Sequence, residues 1–93
     1  MIIGTMKIKI YAPWVHSLKE KRMVVKSICA KAGSKFNISI AEVEDQDMHQ
    51  SIVIGLTCVT DEISHCNSIL DNVLYFIEEN TEAEILKIDR EII

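Results

Sequence analysis

The 93-residue sequence has one proline and three glycines, and nowhere do Pro, Gly or Ser gather into a run. Nothing in it marks a linker, an internal repeat or a low-complexity segment. It also lacks any apolar run near the roughly 18 residues that a membrane-crossing helix needs. Met1-Ile2-Ile3 gives way at once to Gly4, Thr5 and Lys7, so neither a membrane partner nor a secretory leader is expected. Cysteine is sparse and odd in number: Cys29, Cys58 and Cys66 each fall among apolar neighbours inside a predicted helix or strand. They read as small buried thiols of a reducing, cytoplasmic compartment rather than as a disulfide frame. Aromatic residues are few, and Trp14, Tyr11, Tyr75, Phe36 and Phe76 are the whole set.

Positive charge is nearly missing from most of the chain. From Asn37 onward only Lys87 and Arg90 stand against thirteen acids, whereas Met1 to Phe36 holds eight Lys and Arg against one acid, Glu20. The net charge of -4 therefore hides one segment at +7 and another at −11. Such a split suits a basic face for a polyanion, or two halves that attract each other. With 48% hydrophobic and 26% charged residues, the balance is that of a folded protein rather than of disorder. A chain of this length holds one core, burying roughly 60 to 65% of the unfolded surface. One domain over residues 1–93 is expected, with no room for separate catalytic and cofactor lobes.

Ile2, Met6, Ile8 and Ile10 alternate with Thr5, Lys7, Lys9 and Tyr11, the two-residue period of a half-buried strand. Pro13 makes Ala12 to His16 a loop. Ser17-Leu18-Lys19-Glu20 fits a capping box and starts a helix, whose stripe is Leu18, Val25, Ile28, Cys29 and Ala32 and whose stop is Gly33. At 100° per residue Lys19, Arg22 and Lys26 share one flank of that helix, while Lys21 falls within the apolar stripe. A second strand is expected from Phe36 to about Glu44, with a bulge near Ala41, then a turn over 44–50 and a third strand over 51–59. Thr60 or Asp61 caps a second helix with the stripe Ile63, Cys66, Leu70, Val73 and Ile77. Residues 82–93 form the last strand, with Leu86, Ile88 and Ile92 inward.

The order β-α-β-β-α-β in some ninety residues predicts an α+β, ferredoxin-like sandwich, a four-stranded antiparallel sheet with both helices on one face. That topology brings three segments to one rim: the loop with His16, the first turn with Lys19, Lys21 and Arg22, and the hairpin with Glu44, Asp45, Asp47 and His49.

Met1-Ile2-Ile3-Gly4-Thr5, the run His16-Ser17-Leu18-Lys19-Glu20-Lys21-Arg22, Phe36-Asn37 with Ala41-Glu42-Val43 and Gln46-Asp47, and Phe76-Ile77-Glu78-Glu79 resemble the YlxP-like family of small bacterial proteins. The likeness spans essentially the whole chain. It implies the ferredoxin-like fold and no particular chemistry, because that family has no established substrate or catalytic residue. The frequent placement of its genes near those of translation and ribosome-maturation factors implies an RNA or ribosome partner by association. Trp14 departs from the small or aliphatic residues expected at its position.

The basic helix is the main functional feature. Its first-turn amides carry partial positive charge, and Lys19, Lys21 and Arg22 add full charges beside them, a combination that suits phosphate. The competing expectation is that these bases pair with the acidic hairpin, Lys21 reaching past the core to Asp45 or Asp47. Glu42 and Glu44, two apart on one strand face, extend the hairpin's acids. Charge that blunts an exposed sheet edge accounts for them, and no metal site is expected. No nucleophile, base and oxyanion donor can be assembled around His16, Ser17 or His65-Cys66, so no enzyme and no cofactor is expected. The outward residues of the third strand, Ser51, Val53, Gly55, Thr57 and Val59, offer no aromatic platform for bases. With Ile3 and Tyr11 that face is mildly apolar, which suits burial against a second copy.

Two functions follow as expectations. The first is a non-enzymatic cytoplasmic module binding structured RNA or the ribosome, with Lys19, Arg22 and Lys26 on phosphates and His16 and Lys21 shaping the edge. The second is a homo-oligomeric anion or small-molecule binder with a pocket between the helix start and the hairpin, near His16, Lys21 and His49.

Overall fold

The computed structural model describes all of residues 1–93. Its elements are β1 (Ile2–Tyr11), α1 (Leu18–Lys35), β2 (Ser39–Glu44), β3 (Ser51–Thr60), α2 (Ile63–Glu79) and β4 (Glu84–Ile92). The sheet order is β2-β3-β1-β4, with every neighbouring pair antiparallel. This is the ferredoxin-like arrangement that the two interleaved β-α-β units require, and both helices cover one face. The alternation in β1 holds: Met6, Ile8 and Ile10 are buried under the helices with Ile52, Ile54, Leu56 and Cys58 of β3. From α2 come Cys66, Leu70, Val73 and Ile77, the 3.6-residue stripe that packs on that face. At the end away from the hairpin, Phe36 and Phe76 meet edge to face with centroids 5.6 Å apart.

Several boundaries differ from the sequence reading. α1 passes straight through Gly33 and ends where Phe36 turns extended, at φ −121° and ψ 150°, because no glycine in the chain takes a positive φ. Gly33 is an ordinary helical residue, and β2 begins only at Ser39. The N-cap of α2 is Glu62, which makes no side-chain cap bond, while Thr60 Oγ1 donates to the Glu62 carbonyl. Ile63, expected in the buried stripe, is 57% exposed.

Two sheet irregularities matter more, since each moves side chains between faces. In β2 the pairing slips between Glu42 and Glu44, so the bulge is at Val43 and not near Ala41. Glu42 therefore points to the helix side and Glu44 to the open side; they do not share a face. In β4, Lys9 pairs Lys87 but Ile10 pairs Ile85, leaving Leu86 as the extra residue. The bulge keeps Ile85, Ile88 and Ile92 opposite the inward residues Ile10, Ile8 and Gly4 and turns Leu86 out onto the open face. Leu86, expected inward, is 52% exposed.

Candidate functional site

The rim forms as the topology requires. Ser17 caps α1, its Oγ accepting from the Glu20 amide at 3.1 Å, with the Glu20 carboxylate 3.5 Å from that oxygen. The loop before it is fastened to the hairpin. The Ala12 amide donates to the Gln50 carbonyl at 2.9 Å, and Gln50 Nε2 donates to the Pro13 carbonyl at 3.0 Å. Val15 is wholly buried there, which fixes the path of His16.

Lys21 is the centre of this junction. Its side chain is 1% exposed, with Nζ 2.9 Å from Glu42 Oε2 and donating to the Asp45 carbonyl. The lysine in the apolar stripe of α1 thus meets the one carboxylate that β2 turns inward. Sequence reasoning placed the partner in the Asp45 or Asp47 side chain. Instead the ion pair is with Glu42, and Asp45 contributes only its backbone oxygen. Asp45 adopts the left-handed region at φ 57°, which an aspartate tolerates. Its carboxylate accepts from Ser51 Oγ at 2.7 Å, and its carbonyl also accepts from the Met48 amide at 3.0 Å. Glu42 Oε2 has no directed hydrogen bond and is held by charge alone. Burial first, and the Glu42 carboxylate second, push the nearby Cys29 thiol above its ordinary 9.0.

Burial removes Lys21 from any surface that could touch a phosphate, so its expected place among the contacting bases is corrected to a structural one. The other bases of α1 differ. Lys19, Arg22, Lys26, Lys31 and Lys35 are all exposed, and the chain's ion pairs are Lys7–Glu44, Lys21–Glu42, Lys87–Asp89 and Arg90–Asp71. None of those five bases is paired. Lys35 lies over the Phe76 ring, 5.1 Å from its centroid.

On the open side of the rim, His16 from the loop, Asp47 and His49 from the hairpin, Lys9 and Tyr11 from β1 and Leu86 from β4 surround a groove of about 760 Å³. Lys21 is not part of it. Glu44 lies farther along the sheet, its Oε1 3.2 Å from Lys7 Nζ. The open face is less apolar than expected. Val53 is 3% exposed, beneath its strand neighbours Lys9 and Glu44, and the mid-sheet surface is built of Lys7, Lys9, Lys87 and Asp89. Leu86 and Met48 are the groove residues that periodicity missed. A one-residue count in β4 is the only sequence signal for the first, and none exists for the second.

Cys58 and Cys66 are buried side by side, Sγ to Sγ 3.8 Å, and all three cysteines are free thiols. Burial and the neighbouring Cys66 raise the Cys58 thiol above 9.0, which suits inert core residues. No helix is long and apolar enough to cross a membrane.

Comparison with known proteins follows the fold and adds a family. The solved structure of a designed protein, LFR1 1 with ferredoxin fold, superposes with a TM-score of 0.60 at 16% identity, covering 99% of this chain and 85% of that one. The designed protein Foldit4 gives 0.57 at 9% identity, covering 99% and 94%. At such identities these show the fold alone. The uncharacterized protein YlxP of Bacillus subtilis (strain 168) is 40% identical over 68 residues, 73% of this chain and 74% of that protein. The model of the family described as "Protein of unknown function (DUF503)" matches residues 3–90. Sequence and architecture agree, and the chain belongs to the DUF503 family, the YlxP-like proteins.

Proposed function

We propose that this protein is a non-enzymatic cytoplasmic module that binds structured RNA, in the setting of ribosome assembly or translation, through the exposed bases of α1. The observation that carries the reading is the state of those bases. Lys19, Arg22 and Lys26 share a flank of α1 and none is engaged by an acid of the protein itself. The alternative use for them, pairing with the acidic hairpin, is taken up by Lys21 alone. Free lysine and arginine side chains on a helix flank, next to the positive end of the helix, suit the regularly spaced phosphates of a nucleic acid. The thirteen acids beyond Phe36 repel RNA from the remaining surface and so orient it.

The test is co-sedimentation with ribosomal particles and with nuclease-treated controls, at several salt concentrations. Replacing Lys19, Arg22 and Lys26 together by Glu abolishes binding if they hold phosphates. Replacing them singly by Gln lowers the slope of log K against log salt by roughly 0.7 to 0.9 each. A folded triple variant that sediments as the parent does rejects the reading.

A further inference from the structure

Apart from His16 at its edge, the groove on the open sheet face is not used by the RNA reading, which rests on the bases of α1. It is a wide-mouthed depression of about 760 Å³, roomy enough for a small ligand laid against its floor with one side left to solvent. Four features define what it fits.

The first is a cation with no partner. Lys7 has Glu44 and Lys87 has Asp89 at 3.9 Å, but Lys9 makes no ion pair and sits directly across from Lys87. Glu44 is drawn to Lys7 and Asp89 to Lys87, so of the three lysines on this face only Lys9 has its charge left for an anion in the groove. His16 and His49, both exposed, add ring N–H donors from two walls. The second feature is exposed apolar surface gathered round one depression: Tyr11 at 37%, Met48 at 54% and Leu86 at 52%. Leu86 is there only because the β4 bulge turns it out, and bulges that re-aim a side chain are characteristic of functional edges. The third is Asp47. A bare phosphate would meet this carboxylate as a like charge, so the occupant must carry hydrogen-bond donors as well as an anion. The fourth is rigidity. The hairpin wall is set in advance by the bonds of Gln50 to Pro13, Ser51 to Asp45 and Lys21 to Asp45, which lowers the ordering cost of binding.

We propose that the groove binds a nucleoside monophosphate, free or as the phosphorylated 5′ end of an RNA. The phosphate lies on Lys9, His16 and His49. The base packs against Tyr11, Met48 and Leu86 and turns its donor edge to Asp47. Guanine, with two adjacent N–H donors, matches a carboxylate best. The site is separate from the α1 bases and stands or falls without them.

The experiment titrates the full chain with guanosine 5′-monophosphate, guanosine, inorganic phosphate and a short RNA with and without its 5′ phosphate, by calorimetry and amide NMR. Saturable binding of the monophosphate is expected, with the largest shifts at Tyr11, His16 and His49. Guanosine and phosphate alone bind about tenfold more weakly or worse. Lys9→Glu and Leu86→Ser, each checked for an unchanged amide spectrum elsewhere, weaken binding by about tenfold, the worth of one charge-assisted bond or one apolar contact. The Lys19→Glu, Arg22→Glu, Lys26→Glu triple variant binds the monophosphate within about twofold of the parent, even where it loses RNA. Tighter binding of the 5′-phosphorylated RNA than of the free monophosphate names the RNA end as the source, and the reverse names the free nucleotide. No saturable binding of either, or equal binding by Lys9→Glu, overturns the proposal.

Discussion

Replacing Lys21 by Met keeps the length and volume of the buried stem and removes only its ammonium group, which makes it the sharpest test of how the rim is held. Breaking a fully buried ion pair by deleting one partner costs roughly 3–5 kcal/mol, because the other charge is left without water or counterion. The Lys21 side chain is 1% exposed and that of Glu42 17%, so some hydration reaches the carboxylate and the lower end applies. The Asp45 carbonyl also loses its donor from Lys21, about another 1 kcal/mol. A loss of about 3–4 kcal/mol is expected against a total of roughly 5–14 kcal/mol for a domain this size. At roughly 4–8 °C per kcal/mol the melting midpoint falls by about 12–32 °C. Glu42→Leu alone should be costly for the mirror reason, since it strands the buried ammonium, while the double variant Lys21→Met with Glu42→Leu should return to within about 1 kcal/mol of the parent, because an apolar pair replaces a buried ionic one nearly evenly. Urea unfolding of the four proteins gives the coupling energy directly. A single Lys21→Met cost below about 1 kcal/mol, or strict additivity in the double variant, would refute the assignment of this pair as the rim's fastening.

Gly4 faces the two buried thiols, and a Cβ there would overlap Cys66 Sγ and lie 3.2 Å from Cys58 Sγ. Gly4→Ala should therefore cost about 1–3 kcal/mol in urea unfolding, and adding Cys66→Ala should recover most of the strain. Gly55→Ala meets Val43 at 2.9 Å, but Val43 is 43% exposed and can turn aside, so a smaller loss is expected by the same assay. Cys29 and Cys58 have thiols raised above 9.0 in the folded state. The unfolded chain then releases protons first as pH climbs, and folding stability present below about pH 9 declines above it. Denaturant midpoints measured from pH 7 to 10 check the sign, and a rise across that window contradicts it. Native Cys58 and Cys66 should react with thiol reagents only as fast as the protein opens, as followed by reagent absorbance.

The fold was legible because period and punctuation agreed: two-residue alternation in β1 and β3, a 3.6-residue stripe in α2, and a capping box at Ser17. The rim followed from topology alone. What escaped was set by single-residue register. Glu42 and Glu44 look like a pair on one face until the Val43 bulge parts them, and Leu86 looks like a core residue until the β4 bulge turns it outward. Periodicity cannot locate a bulge, because one extra residue leaves the composition unchanged and inverts every position beyond it. The Lys21–Glu42 pair was half visible. A lysine in an apolar helical stripe and a glutamate at an inward strand position are matching anomalies, but joining them required knowing which residue of β2 faces in. Gly33 misled in the opposite direction, since a glycine signals a helix end only when the chain needs a left-handed turn there, and this chain does not.

The unpaired residue in β4 also inverts the usual expectation for losing an amino acid from a strand. Excising Leu86 would join Ile85 to Lys87, and their partners Ile10 and Lys9 are already adjacent in β1, so the ladder would close without disturbing its order. Such a shortened chain should fold with the same buried set and merely a blunter rim. Excising Ile88 instead would reverse the sidedness of the strand beyond it. One position in the last strand is thus dispensable for architecture, and whatever keeps it acts at the surface.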